Sequence, residues 1–202
     1  MEQPMPGIPV LETTRLILRP LVDDDLHTLH EVHARGFGDG SEFNTSIGID
    51  HARKVLQWIH LNEWFPRLRW WNTRAIVSKT TDKVIGEIAF VPMPLPLDAI
   101  IAQAEIDGST AIQTMELSML WGIIPEHRGQ GYAAEAARAM IDFAFQQFNL
   151  RRIIADTEHA NTASQSIMRK LGMTLYQSKL KGGDLDWIEV VGVLDNPLLK
   201  DK

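Results

Sequence analysis

The chain has 202 residues, of which 45% are hydrophobic and 23% charged, with a formal net charge of -6. That length suits one well-buried α/β domain and is short for two. The negative balance argues against a general nucleic-acid binder, which would present a basic surface, and is weakly compatible with a cationic substrate such as an amine, although surface acidity usually serves solubility. There is no cysteine, which excludes disulfides, thiolate metal sites and a cysteine nucleophile, and fits a reducing compartment. No apolar run reaches the roughly 18 residues of a membrane span. Met1–Pro9 lacks the basic and apolar regions of a signal peptide, so a cytoplasmic protein is expected.

In chain order, Thr14–Pro20 alternates as a strand stopped by its proline. Asp23, Asp24 and Asp25 supply a cap and an acidic first turn for a helix over about 24–34, broken by Gly36, Gly38 and Gly40. Asp50 opens a second helix through about Asn62, with Ala52, Val55, Leu56 and Ile59 at helical spacing. Trp70–Ser78 and Val84–Phe90 read as a hairpin turning at Thr80–Lys83. From Val91 to Thr114 the pattern is lost. Pro92, Pro94 and Pro96 open a connection long enough to be a lid, a binding loop, an interface element or a surface insertion.

Met115–Ile124 is the next strand, followed by a polar turn over 125–130 and a helix over 131–148. That helix carries the apolar stripe Ala133, Ala137, Met140, Ile141, Ala144 and Phe148. Arg152–Asp156 is a short strand, and Asn161 caps a helix that ends at Leu171 and Gly172. Thr174–Gln177 and Leu185–Leu194 close the chain as strands flanking a Lys-Gly-Gly-Asp turn at 181–184. One mixed α/β domain over 1–202 is expected, with a core at about 11–194 and an insertion at about 91–114.

Chemistry concentrates where the strand ending at Ile124 meets the helix, at Arg128-Gly129-Gln130-Gly131-Tyr132-Ala133. Backbone N–H groups at a helix start are unpaired within the helix and sit at the positive end of its dipole, so they favour an anion. Gly129 and Gly131 remove side chains where a phosphate would approach, and Arg128 adds a charge. Gly129-x-Gly131-x-x-Ala134 also satisfies the dinucleotide fingerprint, with Asp156 near the position of a ribose-binding acid. Against that reading, Pro125–Arg128 separates strand from glycine, and the preceding strands read as hairpins. No lysine follows the glycines, so a Walker-type loop fails.

The stretch Glu116–Ala136 resembles the acetyl-CoA-binding motif of GNAT acetyltransferases. Asn161-Thr-Ala-Ser164 with Lys170-Leu-Gly-Met173 resembles their second cofactor motif. Leu11–Pro20 is similar to the first strand of the ribosomal-protein N-terminal acetyltransferase-like branch. The resemblance implies a central, mostly antiparallel sheet with splayed fourth and fifth strands and flanking helices. It implies acetyl-CoA as co-substrate, its pantetheine on the backbone of Trp121, Gly122, Ile123 and Ile124, and its pyrophosphate on the amides of Arg128 to Ala133, Gln130 and Tyr132 included. Asn161 and Ser164 would approach the pantetheine or nucleotide, with capping as a compatible role for Asn161. Two positions depart from the pattern: Glu126 stands where the motif begins with Gln or Arg, and Met168 where many relatives carry a tyrosine acid. The two tyrosines, Tyr132 and Tyr176, match neither place.

Acetyl transfer requires a neutral amine, so a base must take the ammonium proton. By the resemblance, Glu116 is the candidate base, with Ser118, Leu120 and Gly122 on its strand face and Ser118 able to hold water or substrate. A backbone N–H near Ile123 would polarise the carbonyl. His127 beside the turn suits solvent or phosphate better than catalysis. The remaining histidines show no metal-ligand spacing, and no metal is expected. Trp58, Trp64, Trp70 and Trp71 cluster where they could wall an acceptor site or fill core. The expected partner is an amine acceptor, a protein N-terminus or a small molecule; homodimers are frequent in the family. A non-catalytic acyl-CoA-binding module and, behind it, a dinucleotide-dependent oxidoreductase stand as alternatives.

Overall fold

The computed structural model describes residues 8–37, 48–64, 72–182 and 188–199, without the side chains of 62–64, 72 and 106. Trp70, Trp71, the Trp64 side chain, Gly38, Gly40 and the Gly183–Asp184 half of the last turn lie outside the described residues. The strands are β1 Leu11–Glu12, β2 Leu16–Pro20, β3 Asn72–Ser78, β4 Lys83–Leu95, β5 Ile106–Asp107, β6 Thr114–Ile123, β7 Arg152–Thr157, β8 Thr174–Gln177, β9 Leu180–Lys181 and β10 Val190–Asp195. The helices are α1 Leu26–Arg35, α2 Ile49–Trp64, α3 Leu97–Ile101, α4 Tyr132–Phe148 and α5 Thr162–Leu171. The result is a mixed α/β fold with a mostly antiparallel sheet flanked by helices. No described helix is long and apolar enough to cross a membrane.

Two compact units share this chain, residues 1–90 with 121–143 and residues 91–120 with 144–202, and β4, β6 and α4 each run from one into the other. In the first unit β1, β2, β3 and β4 follow one another antiparallel, with Leu18 opposite Ile76 and Ile76 opposite Gly86. Gly86 has no room for a side chain, because a Cβ there would overlap the Gly122 carbonyl. Leu21, Leu29, Leu56, Ile59, Ala75 and Val77 bring α1 and α2 together over this sheet in one buried cluster. Asp23–Asp25 forms a single 3-10 turn, and α1 starts at Leu26. The Asp25 carboxylate does not cap the helix. It accepts two hydrogen bonds from Arg19, at 2.6 and 2.9 Å, and one from the Val22 N–H.

In the second unit β7 lies between β10, its antiparallel partner, and the Thr114–Leu120 part of β6, which runs parallel to it with Ser118 opposite Ile154. β8 covers the far side of β10. Asn161 caps α5 through Oδ1, which accepts from the Ser164 N–H at 3.0 Å. The connection after Val91 departs from the sequence expectation. β4 continues through Pro92 and Pro94 to Leu95, because prolines two apart direct their missing N–H groups to the same edge and leave the other edge intact. α3 follows, and β5 pairs parallel with β9. Leu95, Leu97 and Ile100 are buried with Ile154, Val191 and Val193, so these three side chains belong to the core while Asp98 between them stays exposed.

Leu97→Ala should therefore cost about 2–5 kcal/mol in urea unfolding, whereas the exposed neighbour Asp98→Ala should stay within about 0.5 kcal/mol. Two equally small changes would return the segment to the surface.

Candidate active site

The polar turn after β6 is a 3-10 turn, Pro125–His127, from which the chain passes through Arg128–Gly131 into α4. Gly129 and Gly131 have φ values of +74° and +82°, in the left-handed region that favours glycine. These dihedrals swing the backbone so that the helix is first closed by the Glu135 N–H donating to Gly131 O at 3.1 Å. The amides of residues 129–134 carry no recorded hydrogen bond among the described residues, and a Cβ at Gly129 would meet nothing within 4 Å. This is an open row of donors at the positive end of a 17-residue helix, which fits a diphosphate.

Arg15 braces the turn, a role the sequence did not mark. Its Nε and backbone N–H reach the Glu135 carboxylate at 2.7 and 3.0 Å, its Nη1 donates to Gln130 O at 2.9 Å, and its guanidinium lies 4.5 Å from the Tyr132 ring centre. Thr13 Oγ1 adds a 2.6 Å bond to Glu135. Burial pushes the Glu135 carboxyl up, but the donors of Thr13 and Arg15 outweigh it and hold the group below its ordinary value. The signal available in the sequence was an arginine set just before the apolar run Leu16–Leu18.

Glu126, the departure at the start of the motif, is compensated. Both its oxygens lie 2.8 Å from Arg35 Nη2, at the end of α1. Arg128, expected to reach toward phosphate, donates through Nε to Ile123 O at 3.0 Å and through Nη2 to Arg35 O. The Ile123 N–H donates to Gly36 O and the Ile124 N–H to Ile85 O, each at 3.0 Å. The N–H expected to polarise a carbonyl is thus already engaged, because the C-terminus of α1 leans on the end of β6. Phe37 and Val32 press on Gly122 there, and Phe37 sits edge-on to His33, which pairs with buried Glu87 at 3.1 Å.

On the second unit's part of β6, Glu116 and Ser118 share one face, as strand alternation requires. Glu116 is not an unencumbered base. Arg152 Nε and Nη2 grip its two oxygens at 2.9 and 2.8 Å, and Thr114 Oγ1 adds a 2.6 Å bond. Burial raises its pKa, but these donors outweigh burial and bring it below the ordinary value. Ser118 Oγ donates to Asp156 Oδ1 at 2.9 Å. Asp156, considered above only as a ribose-binding acid, carries the opposite perturbation: burial pushes its carboxyl up, and the Ser118 hydroxyl offsets this in part. Met168 is fully buried, its sulfur against Gly192, and serves as core. Among the described residues no group of three or more His, Asp or Glu could hold a metal.

The acetyltransferase (GNAT) domain family matches residues 15–174. Over 53 residues the chain is 42% identical to the uncharacterized N-acetyltransferase YnaD of Bacillus subtilis (strain 168), an alignment spanning 26% of this chain and 31% of that protein. The crystal structure of an acetyltransferase from Agrobacterium tumefaciens str. C58 superposes with a TM-score of 0.66 at 25% identity, covering 96% of this chain and 98% of that one. RimL, a ribosomal alpha-N-protein acetyltransferase solved with coenzyme A, shares the fold with a TM-score of 0.64 at 16% identity over 94% and 97% of the two chains. The chain belongs to the GNAT acetyltransferase family. Antiparallel partners on β2, β3, β4, β8 and β10 set it apart from the parallel dinucleotide-binding sheet that Gly129-x-Gly131 alone would have allowed.

Arg152→Ala should cost about 3–5 kcal/mol, since it strands the Glu116 charge in a buried site. Glu116 has a lowered folded-state pKa, so the stability it contributes is present above the unfolded value of about 4.3 and fades as pH falls through the folded one. Glu116→Gln should flatten the acid limb of stability against pH. An unchanged limb would show that the clasp carries no charge-dependent stability.

Proposed function

We propose that the protein transfers acetyl from acetyl-CoA to a primary amine, a protein N-terminus or a small molecule, by direct attack of the amine on the thioester. The row of amides at 129–134, unengaged among the described residues and bent by two left-handed glycines, is the observation that carries this reading. In it, the pyrophosphate lies on the N–H groups from Gly129 to Ala133, Gln130 and Tyr132 included, with Arg15 as a nearby cation; the Arg128 N–H donates to Pro125 O at 3.1 Å and joins them only by releasing that carbonyl. The pantetheine arm runs back along β6 past Ile124, Ile123, Gly122 and Trp121. To pair with Ile123 it displaces the Gly36 carbonyl, exchanging one hydrogen bond for another at small net cost. Asn161 and Ser164, at the start of α5, are the second unit's candidates for cofactor binding, through groups the cap leaves over.

Upstream on β6, Leu120 and Ser118 are this reading's candidate neighbours of the reacting group. Ser118 then meets the acceptor. Glu116, held by Arg152, keeps β6 in register with β7 rather than moving protons. The whole chain works as one domain in this reading, and a cysteine-free sequence suits the reducing cytoplasm.

Two measurements test the proposal. The wild-type protein should release thiol from acetyl-CoA when given an amine or peptide acceptor. A CoA-induced thermal shift without thiol release would leave a binding module, and a shift with NAD but not CoA would restore the dinucleotide reading. Gly131→Asp keeps a residue type tolerated at positive φ but sets a carboxylate at the turn. Its affinity for CoA should fall by about 100-fold, on the order of a lost charge-assisted contact plus repulsion. Unaltered affinity in that variant removes the phosphate-turn assignment.

A further inference from the structure

Resting on the transferase reading above, we infer that Asp156 of β7 is the general base of the reaction, with Ser118 as the hydroxyl that positions it. The register sets the geometry. With Ser118 opposite Ile154 on the parallel strands, alternation puts Glu116 and Ser118 of β6 on the same side of the sheet as Arg152 and Asp156 of β7. The Ser118 hydroxyl reaches diagonally to Asp156 Oδ1, at 2.9 Å, and fixes one oxygen of the carboxylate.

The surroundings of the two carboxylates divide their roles. Glu116 is saturated by Arg152 and Thr114 and stays ionised as a structural anion. The residue opposite Asp156 on β10 is Val191, and Val191 in turn faces Tyr176 on β8. The nearest ion pair on β6 and β7, Glu116 with Arg152, is internally neutralised. Among the described residues Asp156 has no recorded cationic partner, and it remains partly exposed. A desolvated carboxylate that is reachable and has no cation beside it is more basic than an ordinary one, which suits a proton acceptor.

The step balances as follows. The acceptor ammonium gives one proton to Asp156 and regains its lone pair. Its nitrogen bonds to the acetyl carbon while the carbon–sulfur bond breaks, and sulfur leaves with the electron pair. The second nitrogen proton passes to that sulfur through water, giving amide and CoA thiol, and Asp156 returns its proton to solvent.

The test uses the full chain and thiol release from acetyl-CoA with the best amine of an acceptor panel. Asp156→Asn should retain the CoA-induced thermal shift and lose about 100-fold or more in kcat/KM at neutral pH. The loss should shrink as pH rises toward the pKa of the amine itself, a recovery that a merely structural role would not produce. Ser118→Ala removes a donor to the carboxylate, so the acid limb of the wild-type kcat/KM profile should move to higher pH. Asp156→Asn turning over like the wild type, or a deficit independent of pH, overturns the assignment and leaves the transferase reading standing. If Asp156→Asn fails to fold, an unmoved acid limb in Ser118→Ala overturns it. No thiol release by the wild type with any acceptor removes the transferase reading and this inference together.

Discussion

The bidentate clasp of Arg152 on Glu116 governs the chemistry of the second unit. Two strands that run parallel can slide by two residues without changing which face each side chain occupies, so alternation alone does not fix their register. A buried ion pair does, since a slip would leave both charges desolvated and unpaired. With this register set, Ser118 lies within reach of Asp156, and two acids two strand positions apart from each other's partners acquire opposite characters. One is held as a permanent anion, the other is left more basic than an ordinary carboxylate.

Much of the fold was legible because its signals are local. Periodicity located α1, α2, α4 and α5, and Asn161 and Gly172 bracket α5 as an N-cap and a C-terminal stop should. Pro92 and Pro94 misled, because a proline read singly argues against a strand, while a pair at even spacing disarms one edge only. The burial of Leu97 and Ile100 could not be read from a short Ala/Ile-rich piece, since no period is measurable in five residues. Among candidate site residues, Gly129 and Gly131 announced themselves through backbone conformation. Arg15, Arg35 and Arg152 did not, because their partners lie far away in sequence and only tertiary structure pairs them.

The two departures from the family pattern have different physical outcomes. Glu126 carries a charge of the wrong sign for an anion turn, and Arg35 cancels it from the end of α1. Such an exposed pair adds little stability, but it removes a local repulsion from the mouth of the turn. Met168 has no compensation of that kind. Its side chain fills the space above Gly192 and turns the position over to packing.

The brace on the anion turn joins Thr13 and Arg15 to Glu135 across separations of 122 and 120 residues. During synthesis the first of these partners leaves the ribosome long before the last exists. The donor row at 129–134 can form with its helix, a local event, yet it is steadied only when the start of the chain comes back to meet it. Contacts of such long range form late and slowly, so ligand-gripping competence should mature after secondary structure, and a nascent chain stalled before residue 135 would carry the turn between β1 and β2 still waiting for its acid.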